Sequence, residues 1–196
     1  MVETDHLPRM TLHEFPYTSI NLNRLPVSDR ILDIGGGGEG VIGQLMGDQV
    51  VAIDRSRAEL EEAPQGGLKI VMDAVELKFL DGTFSAVSFF YSLMYVPHEF
   101  HKRIFEEVFR VLKPGGFIYL WDVNLSECVD PNKDGFCVFL KIKLPDREIQ
   151  TGYAARWPLV AHDFQYYSNL CELTGFEIVS GQHKDFHFAL TALKKP

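Results

Sequence analysis

One stretch restricts this chain more than any other: the run Ile31-Leu32-Asp33-Ile34 followed by Gly35-Gly36-Gly37-Gly38-Glu39-Gly40. A short apolar strand that ends in glycines lets backbone approach a bound molecule closely and directs free amides toward the start of the next helix. Gly35-x-Gly37-x-x-Gly40 also satisfies the dinucleotide pattern, and Asp54 lies at about the distance where an acid contacts an adenosine ribose. No Gly-Lys-Ser/Thr follows, so a Walker phosphate loop is excluded.

The rest of the chain repeats this strand-then-turn grammar. Val50 to Ile53 precede Asp54, Leu68 to Met72 precede Asp73-Ala74, and Phe84 to Tyr91 follow the turn Asp81-Gly82. These runs are short and apolar on both faces, as strands of a buried parallel sheet are. Ser56 is placed to cap a helix, and Gly38 to Met46 suit a second one. Phe100, Ile104, Val108 and Val111 fall at helical spacing after Pro97; Lys113-Pro114-Gly115-Gly116 then reads as a turn into a strand over 117–123. After residue 123 come a polar loop (124–135), a hairpin about Pro145-Asp146, a helix from Asp163 to Thr174, and two strands close enough to pair antiparallel. The fold expected is α/β: a doubly wound, mainly parallel, Rossmann-like sheet.

Composition narrows the function. At 196 residues, with 46% hydrophobic and 23% charged residues, the chain suits one globular domain. The net charge of −8 gives no overall attraction to nucleic acid or to an anionic membrane. Three cysteines without a CxxC pair, and seven histidines without HExxH spacing, predict neither a disulfide framework nor a metal site. The N-terminus lacks the basic start and apolar run of a secretory signal, and no stretch has the length and apolarity of a membrane span. A cytoplasmic protein is expected.

Charge also separates the two nucleotide classes that the glycines allow. A pyrophosphate would sit near Glu39 and Asp33, where like charges about 5 Å apart at an effective dielectric near 20 repel by roughly 3 kcal/mol. A cationic cofactor escapes that penalty.

Over residues 30–124 the sequence resembles the class I S-adenosylmethionine-dependent methyltransferases, in their single-domain, small-molecule form. Asp33 to Gly37 is similar to the family's glycine loop, which implies that Asp33, Gly35, Gly36 and Gly37 face the methionine part of the cofactor. Asp54 matches the acid that bonds both ribose hydroxyls, with Arg55 beside it at the adenine edge. Asp73-Ala74 resembles the pair that reads adenine, and Phe90 and Tyr91 fall where the fourth strand borders the methyl group. Arg110 to Gly116 looks like the family's helix-to-strand turn. Two positions depart from the pattern: Glu39 stands where the last glycine is usual, and Ser85 stands where many members have Asp.

The resemblance implies a seven-stranded sheet with an antiparallel C-terminal strand, and a single domain over 1–196. In that domain 1–30 is expected as a lid or arm, whose Phe15, Pro16 and Tyr17 either exclude water over the cofactor or simply pack onto the sheet, and 124–160 as a loop and hairpin insertion. It implies methyl transfer from S-adenosylmethionine to a small-molecule acceptor, leaving S-adenosylhomocysteine, with no nucleic-acid or membrane partner and no assigned catalytic residue. His98 and His101 are expected near the pocket mouth, on a solvated helix end; Tyr91, Tyr95, Tyr153, Arg156 and Trp157 are candidates for the acceptor side. Two alternatives stay open at this point: a non-catalytic S-adenosylmethionine-binding regulator, and an NAD(P)-dependent oxidoreductase.

Overall fold

The computed structural model describes residues 10–196; His6 and the first nine residues of the expected N-terminal arm lie outside them. In chain order the strands and α-helices are β1 (Leu12–Glu14), β2 (Thr18–Asn21), β3 (Ile31–Ile34), α1 (Val41–Met46), β4 (Val50–Asp54), α2 (Arg57–Glu62), β5 (Leu68–Val71) and β6 (Phe84–Phe90). Then follow α3 (His98–Val111), β7 (Leu112–Val123), β8 (Gly135–Lys143), β9 (Glu148–Arg156), α4 (Phe164–Leu173), β10 (Phe176–Lys184) and β11 (His187–Lys194).

Seven strands form the main sheet in the order β10-β11-β7-β6-β3-β4-β5. The pairs β7·β6, β6·β3, β3·β4 and β4·β5 are parallel, while β11 runs antiparallel to both neighbours. This is the doubly wound α/β sheet with an antiparallel C-terminal strand that the sequence predicts. All four residues of β3 are buried, which is why its sequence is a continuous apolar run broken only by Asp33. On α3, Ile104, Phe105, Val108 and Val111 pack against the sheet; Phe100, counted with that stripe in the sequence, is instead exposed.

Lys113 to Gly116 do not form a separate turn. The chain leaves α3 straight into β7, and Leu112 pairs with Phe84 before the ladder resumes at Phe117 opposite Ala86. The extra residues bulge out of the strand, with Gly115 at φ 79°.

A second, smaller sheet was not foreseen as such. The predicted hairpin is present, β8 pairing antiparallel with β9 along its whole length. On the other edge of β8, β1 and β2 run parallel to it one after the other. The break between them falls at Phe15-Pro16-Tyr17, where Pro16 has no N–H to give the ladder. One apolar cluster joins the two sheets: Phe90, Tyr91, Tyr119 and Val123 meet Phe136, Val138, Leu140 and Ile142 of β8. Each such buried side chain contributes about 1.5–3 kcal/mol by leaving water, so the small sheet is fastened over one face of the large one.

Candidate active site

Strand order dictates where a crevice forms. The connections from β3 run one way to β4 and β5, and the chain then crosses to β6 on the other side of β3. Helices diverge at that switch point, leaving space beyond the carboxyl ends of β3 and β6. A cavity of about 560 Å³ lies there, within the size range of small-molecule sites. Its wall includes Asp33, Gly35, Gly36, Gly37, Asp54, Arg55, Asp73, Ala74, Phe90 and Tyr91, so every cofactor residue named from the sequence borders one space.

The glycine loop works through closeness more than through free amides. The amides of Gly35 and Gly36 both donate to Ile53 O, Gly38 N donates to Glu59 O, and Gly40 N to Gly37 O. At Gly36 a β-carbon would stand 2.6 Å from Asp33 Oδ2 and 2.9 Å from Ala52 Cβ, so only glycine lets the loop lie this close to β3 and β4. The departure at Glu39 is absorbed by its neighbour: Gly40 takes the left-handed conformation (φ 53°) that begins α1.

Three carboxylates end or follow successive strands. Asp33 is buried and accepts a 2.7 Å hydrogen bond from Ser88 Oγ on β6. Burial raises its pKa to about 7; the Ser88 bond opposes this and the charge of Asp54 adds to it. Asp54 Oδ1 accepts from Ser56 N at 2.8 Å. Ser56 in turn caps α2 by accepting from Glu59 N, as its sequence position suggested. Asp73 Oδ1 accepts from Val75 N, and Arg55 Nε lies 3.4 Å from Asp73 Oδ2. Among the described residues that line the cavity Arg55 is the one basic side chain, against Asp33, Glu39, Asp54, Glu59 and Asp73.

The far end of the cavity is aromatic. Tyr91 follows β6 with φ 51°, an unusual backbone for a bulky residue. Its ring stacks on Tyr153 of β9 (centroids 5.6 Å apart, planes 18° apart), and its buried hydroxyl has no hydrogen-bond partner among the described residues. Burial holds the phenols of Tyr91 and Tyr153 well above their ordinary pKa, so both are neutral, while Tyr95 borders the cavity with about half of its surface exposed. Glu39 reaches from the glycine loop to the same end, where its carboxylate accepts a hydrogen bond from Thr151 Oγ1 of β9.

Other candidates lie elsewhere. Phe15 stacks on Phe186 (4.4 Å) and Tyr17 on Phe139 (5.1 Å), so this part of the arm packs on the protein and does not cover the crevice; β9 forms the roof instead. His98 is exposed beside Glu99 and outside the cavity wall. His101 is not solvated: it is buried between Tyr166 Oη and Val96 O, and burial lowers its pKa to about 4. Trp157 gives its indole N–H to Lys133 O and packs on Phe136, so Tyr153 is the hairpin's contribution to the wall. Sequence reasoning missed Asp122, buried at the end of β7, which accepts from Leu93 N, Met94 N and Val123 N and fixes the turn after β6. Among the described residues no His/Cys/Asp/Glu group could hold a metal ion.

A Rossmann-like sheet with strand-end acids around an electronegative crevice is the arrangement that the sequence resemblance implies. Residues 32–120 match a protein-family model described as a methyltransferase domain. Over that segment, a little under half of its length, the chain is similar to a methyltransferase domain. Over 113 residues (53% of this chain and 35% of the relative) it is 33% identical to the 2-methyl-6-phytyl-1,4-hydroquinone methyltransferase of Synechocystis. Over 101 residues (46% and 40%) it is 42% identical to the ubiquinone/menaquinone biosynthesis C-methyltransferase UbiE of Desulfotalea psychrophila. The matched segments thus span less than half the length of these relatives. A solved S-adenosylmethionine-dependent methyltransferase from Methanosarcina mazei superposes with a TM-score of 0.65, covering 89% of this chain and 99% of that one at 23% identity, which bears on the fold.

Proposed function

We propose that this protein transfers a methyl group from S-adenosylmethionine to a small-molecule acceptor, leaving S-adenosylhomocysteine. The observation that carries this reading is the set Asp33, Asp54 and Asp73 around one cavity in which Arg55, itself paired with Asp73, is the one basic side chain among the described residues. Such a wall attracts a cation and repels a pyrophosphate.

In this reading Asp54 holds the ribose hydroxyls with Oδ2, since Oδ1 is engaged by Ser56 N. Asp73 and the amide of Ala74 read the adenine, and Arg55 flanks it. Asp33 and Gly35 to Gly37 face the methionine portion, while Phe90 and Tyr91 border the methyl group. The cofactor supplies a sulfonium leaving group, so the protein's part is to hold the acceptor in line and exclude water. The aromatic roof of Tyr91 and Tyr153 suits that part. The hydroquinone in the name of one curated relative, and the quinone biosynthesis in the name of the other, support a ring-shaped acceptor over a nucleic acid.

The apolar cluster shared by the two sheets supports treating 1–196 as one domain, in which 1–30 is an arm and 124–160 an inserted loop and hairpin. Three free cysteines, two of them buried, support a reducing cytoplasmic setting. No helix among the described residues is long and apolar enough to cross a membrane.

Calorimetry with S-adenosylmethionine, S-adenosylhomocysteine and NAD tests the reading: the first two should bind and NAD should not. Binding of NAD without adenosylmethionine would overturn it. Transfer of a labelled methyl group into a metabolite extract separates an enzyme from a protein that only binds the cofactor.

A further inference from the structure

Glu39 is the motif residue that cofactor binding leaves unexplained. It replaces a glycine, lines the cavity, and extends toward the aromatic end rather than toward Asp54 and Asp73. Thr151 Oγ1 donates to its Oε1, which fixes the carboxylate from the roof. Tyr153 sits beside the same carboxylate, and stacks on Tyr91. The Tyr91 ring lines the cavity, while its buried hydroxyl has no hydrogen-bond partner among the described residues.

Resting on the methyl-transfer reading, we propose that Glu39 is the acceptor-binding carboxylate and proton acceptor, and that the acceptor is a planar ring carrying an uncharged O–H or N–H donor. The tyrosine rings stack against the acceptor's face and Glu39 accepts its donor hydrogen. Anionic rings are disfavoured because, among the described residues, no basic side chain lines this end of the wall to offset Glu39. In the step, the O–H or N–H proton passes to a Glu39 oxygen and its bonding pair stays on the heteroatom. A lone pair there forms the new bond to the methyl carbon, displacing the sulfur–methyl bonding pair onto sulfur.

The test is a saturation-transfer NMR titration of hydroquinone, p-phenylenediamine, benzoate and phenyl phosphate into the protein loaded with S-adenosylhomocysteine. Hydroquinone and p-phenylenediamine should bind at least tenfold more tightly than the two anions. Glu39→Gln should lose at least tenfold in hydroquinone affinity while calorimetric affinity for S-adenosylhomocysteine stays within threefold. Thr151→Val, which frees the carboxylate without touching the ligand, should lose several-fold. Equal hydroquinone binding by Glu39→Gln, benzoate binding as tight as hydroquinone, or no ring binding by a protein that does bind S-adenosylhomocysteine would each overturn the proposal. Failure to bind S-adenosylhomocysteine would instead strike at the methyl-transfer reading. The ring series on the unmodified protein decides the charge argument even if a variant does not fold.

Discussion

Asp33 carries a charge that the fold resists, and pH exposes it. The side chain is buried and bonds Ser88 Oγ, and burial lifts its pKa from 3.8 to about 7. The native protein therefore holds this proton longer than the unfolded chain does. The stability it contributes is full below about pH 4 and is lost as pH rises toward 7. A shift of about three units corresponds to about 4 kcal/mol; on integration, about 1.7 kcal/mol is gone by pH 5 and about 2.5 kcal/mol more disappears between pH 5 and 8. Asparagine cannot ionise and keeps an oxygen for Ser88. The stability difference between Asp33→Asn and the unmodified protein should therefore move in the variant's favour by about 2.5 kcal/mol from pH 5 to pH 8, whatever its fixed offset. Asp122, buried and also raised to about 7, titrates in both proteins and cancels. Urea unfolding at the two pH values measures the difference. Parallel behaviour of the two proteins would refute a buried, proton-holding Asp33.

Gly36→Ala forces a β-carbon onto Asp33 and Ala52, and should cost about 1–3 kcal/mol in the same urea assay; an unchanged midpoint would mean that the loop yields freely. Asp54→Ala removes the proposed ribose contacts and should weaken S-adenosylhomocysteine binding by about 1.5–3 kcal/mol in calorimetry, with equal affinity removing Asp54 from the site. Glu107 is buried and accepts from Arg110 and from Leu77 N, and the Arg110 bond, largest among its causes, holds its carboxyl below the usual range. Glu107→Gln should cost about 2–4 kcal/mol at pH 7. Because a depressed pKa stabilises above 4.5 and is lost as pH falls, the variant should also show a shallower acid limb in a pH series of melting curves.

Elements with local causes were legible in the sequence. Continuous apolar runs marked β3, β4 and β6, Ser56 marked the start of α2, and Asp163 marked the start of α4, whose cap bond to Tyr166 N is 2.8 Å. Elements caused by a distant partner were not. β1 and β2 have three and four residues with half-exposed patterns, and they are strands because β8 lies beside them, more than a hundred residues later. Lys113 to Gly116 has the composition of a turn, yet pairing of Leu112 with Phe84 holds it in the sheet as a bulge. His101 sits at a helix start that looks solvated until Tyr166, 65 residues away, closes over it.

The site divides along the same line. Its proposed cofactor end comes from residues 33–74, where three strand ends in consecutive order place their acids side by side, so spacing along the chain already implied proximity in space. Its aromatic end joins Glu39 to Thr151 across 112 residues, and Tyr91 to Tyr153 across the two sheets. Thr151 and Tyr153 share a face of β9 because they are two apart, and their alignment is fixed by the pairing of Val138 with Tyr153. A slip of one residue in that hairpin would present Gly152 and Ala154 in their place. Contact with Glu39 is therefore set by the register of a hairpin, which no window of sequence around the glycine loop contains. That is why the motifs speak for the cofactor and stay silent on the acceptor.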